Sequence, residues 1–418
     1  MPRPIRVLLL VLMCLMSLPG CIAHKAFNPT RDEYIRTIPF ADAPEKSPDL
    51  AIIEFDDHGQ FWDPQQFYDT LKLIEKRNAE HPEGVAVICV VHGWKNNADF
   101  GKTKGSLADF QGSLVEIRAR FEERSDSERP RHLIGVFLSW RGGTTKAPIF
   151  DQLSFYDRLD AAERVASLNM QESLFGIMGV ANQNPESSCS IYGHSMGGLI
   201  VGRTMRPSFT TLVLQDGRRG FPAPADLVVL LNPAIDAYSA ERFIDFLKRY
   251  RVRTVQRGSR APREADPNDR DAGGPLIVSI TSEADSATGF VYPIGKGLVE
   301  LGTAFRRDNA EGTPSQSHLV THTEGHVDHL VSHRADVVDG KVRLEPIEGA
   351  WNDTPFWVIR TSGEIIPEHS DFSPAAFDDL ITELRSRADL FNTSTQTWVY
   401  ANPPAVSDIP DGAEVNQQ

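Results

Sequence analysis

Short apolar runs alternate with longer amphipathic stretches along this chain, and that alternation constrains the fold more than any other feature of the sequence. An uninterrupted apolar run is typical of a strand buried on both faces, and the stretches between the runs are long enough for crossover helices. The pattern predicts an α/β fold with a mostly parallel central sheet, helices on both faces and room for an antiparallel edge strand. The predicted strands are Leu50–Phe55, Val85–Val91, Leu133–Leu138, Cys189–Tyr192, Leu227–Leu231, Leu276–Ile280 and Phe356–Ile359.

Two of the predicted helices have recognisable start signals. Asp63 stands directly before Pro64, a pairing that favours a helix N-terminus, and Ser373 stands before Pro374 in the same way. Apolar residues follow each start at helical spacing, so both stretches are predicted to form helices with one face packed on the sheet.

The predicted elements belong to one domain, residues 49–392, which is preceded by a linker at residues 21–48. Two stretches interrupt the alternation. Residues 249–274 are rich in Arg, Asp, Pro and Gly, which predicts a solvated surface excursion, and residues 302–354 are long enough to hold a hairpin or a cap. Residues 393–418 are predicted to form a disordered tail.

The N-terminus has the organisation of an export signal, and it is therefore excluded from the predicted fold. Arg3 and Arg6 precede the apolar run Val7–Leu15. That run is too short for a polytopic membrane protein, and no other stretch resembles a membrane segment. We assign residues 1–20 to a signal peptide.

The residues around Cys21 indicate how the exported chain is held. Leu-Pro-Gly directly before Cys21 resembles the lipobox of bacterial lipoproteins, in which the cysteine is acylated and begins the mature protein. Ile22 resembles the pattern of outer-membrane sorting. The resemblance implies a cell-envelope protein, lipid-anchored to the outer membrane on its periplasmic face. A plain signal peptide with an incidental Cys21 is the alternative.

The charge balance argues against nucleic acid as a partner. The chain has 43 Lys and Arg residues against 57 Asp and Glu residues, a formal net charge of −14, whereas proteins that bind phosphate backbones usually carry a basic surface. Contact with the membrane is therefore expected through the lipid rather than through a basic patch.

Two cysteines remain in the predicted domain, Cys89 and Cys189. Each lies in an apolar run, where cysteine usually serves as a small buried hydrophobic residue. Two neighbouring strand interiors seldom provide disulfide geometry, so both are predicted to be free thiols.

The most specific motif is Gly193-His194-Ser195-Met196-Gly197, a G-x-S-x-G sequence between a predicted strand and a stretch that can form a helix. In this context the motif forms a sharp turn that exposes the serine hydroxyl. Side chains at 193 and 197 would collide with the strand and the helix that meet there. The alternative is a glycine-rich turn with an idle serine.

A second motif, His92-Gly93-Trp94, ends a predicted strand about a hundred residues before the serine. The loop after this strand can present backbone N–H groups near the serine, where the oxyanion of an acyl-transfer reaction would develop. His92 alone is a weak signal, because a histidine at a strand end is more often a structural hydrogen-bond donor than a catalyst.

These two motifs, their order and the alternation of strands and helices resemble the α/β-hydrolase superfamily over residues 49–392. The resemblance implies that Ser195 is a nucleophile and that the backbone N–H groups of Met196 and Trp94 form an oxyanion hole. In that superfamily the nucleophile follows the fifth strand, the acid a later strand and the base the last strand. No cofactor is implied.

Three further stretches are similar to a poorly characterised bacterial branch of the same superfamily. They are Ile53–Trp62, Phe137–Gly142 and Tyr156–Ala166.

The position that the superfamily gives to its acid is matched by Asp285, which follows the predicted strand Leu276–Ile280. Two rivals remain open. Glu283 lies two residues nearer the strand, and Asp236 follows the preceding strand. An aspartate in such a loop is often a cap or a turn residue.

The position of the base is matched by His369, which follows the last predicted strand and precedes the final helix. His194, beside the serine, is expected to point away from its hydroxyl. The densest group of histidines lies elsewhere, and it is expected to form a solvated or hydrogen-bonded loop rather than a zinc site. Its members are His318, His322, His326, His329 and His333.

Together these residues predict a serine hydrolase that cleaves carboxylic esters through an acyl-enzyme on Ser195. The expected substrate is a small-molecule or lipid ester, and neither a metal nor nucleic acid is expected. A lipid acyltransferase or a thioesterase would use the same residues with another acceptor or leaving group. A non-catalytic envelope lipoprotein that keeps the fold as a scaffold is the alternative from a different class.

Overall fold

The computed structural model describes most of the domain that the sequence predicts. Its described residues are 25–40, 43–100, 106–124, 130–143, 148–216, 225–250, 252–256, 275–293, 296, 304–305, 314–348, 354–389 and 396–400. Within them, ten strands form one mixed, mostly parallel sheet.

The order of the strands across the sheet places eight parallel strands between two antiparallel edges. All seven predicted strands are present, which confirms the α/β class. In spatial order the strands are β1 (Ile35–Thr37), β2 (Asp49–Glu54), β4 (His132–Ser139), β3 (Val85–Val91), β5 (Ser188–His194), β6 (Leu227–Leu231), β8 (Ile277–Ser282), β11 (Phe356–Thr361), β9 (His333–Val338) and β10 (Lys341–Pro346).

Helices pack on both faces of this sheet. Side chains of α3 and α9 bury against one face, and those of α2, α4, α5, α6 and α7 bury against the other. No helix in the described ranges is long and apolar enough to cross a membrane. The helices are α1 (Arg31–Tyr34), α2 (Pro64–Glu80), α3 (Ser106–Arg124), α4 (Pro148–Val165), α5 (Leu168–Ala181), α6 (Met196–Asp216), α7 (Ala237–Arg249), α8 (Gln316–Thr321) and α9 (Ala375–Asp389).

The start signal predicted at Asp63 and Pro64 corresponds to the N-terminus of α2. The Asp63 carboxylate accepts a hydrogen bond from the backbone N–H of Gln65 at 2.9 Å, and Pro64 is the first residue of the helix. This bond satisfies one of the N–H groups that a helix start leaves without an intrahelical partner.

The two cysteines of the domain are buried free thiols, as predicted. They lie on the adjacent strands β3 and β5. A hydrogen bond with Cys89 and burial raise the pKa of the Cys189 thiol well above its usual value, so this group stays protonated and unreactive.

The segment before β2, within the predicted linker at residues 21–48, is packed onto the domain. The buried carboxylate of Glu54 accepts hydrogen bonds from the backbone N–H groups of Phe27 and Asn28, at 2.8 and 2.9 Å. Gln66 donates to the Asn28 carbonyl at 2.9 Å. A buried carboxylate needs such donors, and the N-terminal segment supplies them.

The excursion predicted at residues 302–354 contains the hairpin of β9 and β10, and this hairpin extends the main sheet through parallel pairing of β9 with β11. A separate two-stranded sheet pairs β7 (Val252–Gln256) with β12 (Gln396–Tyr400), within the predicted excursion at 249–274 and the predicted tail at 393–418. Three predicted segments lie outside the described residues: the rest of that tail, residues 257–274, and the predicted signal peptide together with Cys21.

A buried ion pair fixes the segment after α8 to helix α6. The guanidinium of Arg206 donates to both oxygens of Glu324, at 2.8 and 2.7 Å, and both side chains are almost fully removed from solvent. The Arg206 guanidinium also lies 4.6 Å from the ring centre of Phe356. Removing one partner of such a pair leaves an uncompensated buried charge.

We therefore expect Glu324→Ala to lower the free energy of unfolding by about 3–5 kcal/mol. The matched control is Glu283→Ala, because the pair of Glu283 with Arg334 is exposed and such pairs contribute about 1 kcal/mol or less. Urea denaturation of both variants measures the difference. Equal losses in the two variants would show that burial does not determine the strength of the Arg206–Glu324 pair.

Candidate active site

Ser195 occupies a strained turn between strand β5 and helix α6. Its φ angle is 56°, in the left-handed region that residues other than glycine seldom adopt. The turn is held by a hydrogen bond from the Ser195 N–H to the Leu231 carbonyl at 2.9 Å and by one from the Leu199 N–H to the Ser195 carbonyl at 3.1 Å. A non-glycine residue held in this conformation is a reason to consider a functional role for its side chain.

The flanking glycines allow the strand and the helix to approach each other. A Cβ at Gly193 would lie 2.6 Å from the Gly197 carbonyl oxygen, and a Cβ at Gly197 would overlap the carbonyl oxygen of Val91. Larger residues at either position would push α6 away from the sheet.

Three of the residues predicted from the sequence form one hydrogen-bonded chain. The Nε2 atom of His369 lies 2.8 Å from the hydroxyl oxygen of Ser195, and its Nδ1 atom lies 2.9 Å from Oδ1 of Asp285. The Asp285 side chain is fully buried, whereas 23% of the His369 side chain is exposed. The imidazole therefore lies between a buried carboxylate and the hydroxyl of Ser195, which is itself buried.

The Asp285 carboxylate is surrounded by donors. Besides His369, the backbone N–H groups of Ala287 and Thr288 donate to Oδ1 at 2.9 and 3.2 Å, and the Thr288 hydroxyl donates to Oδ2. Burial raises the pKa of this carboxyl group, but hydrogen bonds from His369 and Thr288 outweigh burial and hold the pKa below its usual value. Asp285 is thus ionised at neutral pH.

The two rival acids have other roles in the structure. Glu283 is exposed and forms an ion pair with Arg334. Asp236 is the N-cap of α7, where its carboxylate accepts from the Ser239 N–H at 2.8 Å. Among the described residues, neither side chain forms a hydrogen bond with His369.

The backbone of His369 is fixed by two side chains from neighbouring loops. Nε2 of His194 and Nδ2 of Asn232 donate to the His369 carbonyl oxygen, at 2.9 and 3.0 Å. His194 thus bonds to the backbone of His369, whose ring contacts the Ser195 hydroxyl.

Asn232 was not singled out as a site residue from the sequence. Its Oδ1 atom accepts from the Ser282 N–H at 2.9 Å, so one side chain joins the loop of His369 to the strand that precedes Asp285. Its position at the carboxyl end of a predicted strand is the signal that could have identified it.

The loop after β3 lies close to the serine. A Cβ at Gly93 would be 2.9 Å from the Ser195 Cβ, so only glycine permits this approach. The Lys95 N–H donates to the Gly142 carbonyl at 2.8 Å and holds the loop in place. Trp94 follows Gly93, and its ring meets the Phe155 ring edge-on. Met196 is the first residue of α6, so its N–H has no partner within the helix.

His92 is a buried structural residue. Its Nε2 atom accepts from the Trp140 N–H at 3.2 Å and lies 3.0 Å from the Ser139 hydroxyl oxygen, so it ties the end of β3 to the end of β4. The other ring nitrogen, Nδ1, lies 2.9 Å from the Gly93 carbonyl oxygen, so the ring connects the loop after β3 to β4.

The five histidines between 318 and 333 do not converge. His318 and His322 stack on each other, His329 pairs with Glu241, and the His333 ring stacks on Trp357. Within the described part of the chain, no group of three or more potential metal ligands is found. His326 differs from the others because it reaches the surroundings of Asp285.

The chain matches no model of a known protein family, and no curated protein or solved structure matches it either.

His194 is expected to make the folding stability of the protein depend on pH. Burial, as the larger cause, and the neighbouring His369, as the smaller, lower the pKa of His194 to about 3. In an unfolded chain the pKa of a histidine is about 6.5. The unfolded state thus binds the additional proton between these two values, and stability falls as the pH decreases from about 6.5 towards 3.

We expect His194→Gln, which keeps a donor for the His369 carbonyl, to reduce this slope by up to about 1.4 kcal/mol per pH unit. Chemical denaturation at several pH values between 4 and 7 measures the slope. An identical slope in the variant and in the wild type would contradict this assignment.

Proposed function

We propose that this chain is a serine hydrolase of the α/β-hydrolase superfamily that cleaves carboxylic esters through an acyl-enzyme on Ser195. The observation that carries the proposal is the position of His369, 2.8 Å from the Ser195 hydroxyl oxygen and 2.9 Å from Asp285 Oδ1. A nucleophile, a base and a group that orients the base are the components of nucleophilic acyl transfer.

The order of these residues along the chain supports the same proposal. Ser195 follows β5, Asp285 follows β8, and His369 follows β11, the last strand of the main sheet in chain order among the described residues. This is the order that the resemblance to the superfamily implies.

The first half of the proposed reaction acylates Ser195. Nε2 of His369 accepts the hydroxyl proton while Oγ of Ser195 bonds to the ester carbonyl carbon, and the carbonyl oxygen becomes an oxyanion. The backbone N–H groups of Trp94 and Met196 donate to this oxyanion. His369 then gives its proton to the departing alkoxide oxygen as the C–O bond breaks, and the alcohol leaves.

The second half releases the acid. His369 removes a proton from water, the water oxygen attacks the acyl carbon, and the Ser195 oxygen leaves with the proton returned by His369. The Asp285 carboxylate keeps Nδ1 of His369 protonated, so Nε2 is available as the base. Each step uses these side chains, two backbone N–H groups and water, and no cofactor is required.

We expect Ser195→Ala to abolish hydrolysis of p-nitrophenyl esters while the urea unfolding midpoint stays close to that of the wild type. The hydroxyl is the reagent in this proposal, and losing a triad nucleophile lowers kcat by several orders of magnitude in serine hydrolases. Ser113→Ala is the matched control, because the Ser113 hydroxyl is exposed and donates to the Asp109 carbonyl of its own helix at 3.0 Å.

A fluorophosphonate probe separates a hydrolase from a scaffold. The proposal requires covalent labelling of the wild type and of Ser113→Ala, and none of Ser195→Ala. A wild type that neither turns over short or long acyl esters nor reacts with the probe would indicate the non-catalytic alternative. Comparing water with an alcohol or a thiol as acyl acceptor distinguishes hydrolysis from acyl transfer.

We further propose that the protein is anchored in the cell envelope through lipid on Cys21, a proposal supported by the lipobox-like sequence before that residue. We expect Cys21→Ala to release the protein from the membrane fraction, because the body then has no acyl chain to insert. Cys14→Ala is the control, since Cys14 lies within the segment removed on cleavage. Equal membrane association of Cys21→Ala and the wild type would contradict the anchor.

A further inference from the structure

The second oxygen of the Asp285 carboxylate has its own partner. Oδ2 accepts from the hydroxyl of Thr288, which lies in the π-helical turn Ala287–Val291 directly after the acid. Nε2 of His326 lies 3.2 Å from the same hydroxyl oxygen. A line of hydrogen-bonding groups thus runs from His326 through Thr288 and Asp285 to His369.

The direction of each bond follows from the charge of the carboxylate. An ionised carboxylate only accepts, so the Thr288 hydroxyl must give its hydrogen to Oδ2. The hydroxyl oxygen is then free to accept, and a neutral imidazole protonated on Nε2 supplies the donor. His326 thereby fixes the rotation of the Thr288 hydroxyl towards Asp285.

We propose that Thr288 and His326 are positioning residues that keep Asp285 ionised by giving its buried second oxygen a fixed donor. This inference rests on the proposed function, in which ionised Asp285 orients the base. Oδ1 already has three donors, so without Thr288 the remaining charge on Oδ2 would be buried with no partner among the described residues.

The segment that carries His326 is held rigidly against the acid loop. A Cβ at Gly289 would be 3.0 Å from Cε1 of His326, so the imidazole packs directly on the π-helical turn. Arg360 donates to the Gly325 carbonyl at 3.0 Å, and Glu324 is held by the buried pair with Arg206. The contacts of the π-helical turn and of the segment around His326 therefore fix the distance between the Thr288 hydroxyl and the His326 ring.

Burial is the main reason why the neutral form of His326 is favoured. Burial lowers the pKa of His326, and the charge of Asp285 opposes this effect. The other charged or titratable side chains that act on it are Arg360, His322 and Glu283. A neutral His326 adds no positive charge next to the carboxylate, and its Nε2–H remains available to Thr288.

The decisive variant is Thr288→Val, which removes the hydroxyl and keeps the shape of the side chain. A less stabilised carboxylate binds a proton more readily, and it also holds a proton on the adjacent imidazole more strongly. The protonated, inactive form of the site is thereby favoured, so the acidic limb of the kcat/KM profile moves to higher pH by about one unit. At a pH on this limb, kcat/KM falls about tenfold, with little change at alkaline pH.

Conservative variants distinguish this role from packing. Thr288→Ser keeps the hydroxyl and is expected to restore the wild-type profile. His326→Leu shifts the limb in the same direction but by less, and His326→Gln, whose amide can donate to Thr288, restores it. The matched control is His329→Gln, from the same segment, because His329 bonds to Glu241 instead. A loss of kcat/KM at all pH values in Thr288→Val would indicate a merely structural role and overturn the inference.

A readout independent of turnover separates this inference from the proposed function. The Nδ1–H proton of His369 is observable by proton NMR, and its resonance is assigned by its loss in His369→Gln. Thr288→Val is expected to move this resonance downfield, because more negative charge remains on Oδ1, and Thr288→Ser is not. An unchanged resonance in Thr288→Val overturns the inference even if the esterase is active, whereas an inactive wild type with the expected shift overturns only the proposed function.

Discussion

The parallel pairing of β5, β6, β8 and β11 is the constraint on which the candidate site depends. These four strands are neighbours in the sheet, and parallel strands all end at the same edge. The loops that follow them therefore meet, and they bring together Ser195, Asn232, Asp285 and His369, which are far apart along the chain. A shift of one residue in the register of any of these strands would turn its side chains to the other face and separate these groups.

The loops at this edge are fixed by bonds between them rather than by their own secondary structure. Asn232 contacts both the His369 carbonyl and the strand before Asp285, and His194 supports the same carbonyl from the serine turn. These hydrogen bonds hold the imidazole of His369 in one orientation, and an acyl-transfer mechanism requires such a fixed orientation. Strain at Ser195 persists because the surrounding bonds over-determine its conformation.

The sequence predicted the central strands of the sheet better than the strands at and near its edges. The seven predicted strands lie where continuous apolar runs occur, because a strand covered on both faces contains few polar residues. Strands β1, β9 and β10 were not predicted individually. The residues of β10 are mostly exposed, so this edge strand carries no apolar run by which it could be recognised. The serine motif indicated Ser195, and the resemblance to the α/β-hydrolase superfamily indicated Asp285 and His369, which each follow a strand end.

The sequence by itself determined the α/β class and the glycines that the serine turn requires, because apolar strand runs and glycine requirements are local properties. The resemblance to a known superfamily indicated the chain positions of Asp285 and His369. Only the tertiary structure decided that Asp285 rather than Glu283 contacts His369. It also decided that Asn232, Thr288 and His326 support the site. These roles depend on side chains from segments distant in the chain that come within hydrogen-bonding distance once the strands have paired, and no local pattern encodes such a distance.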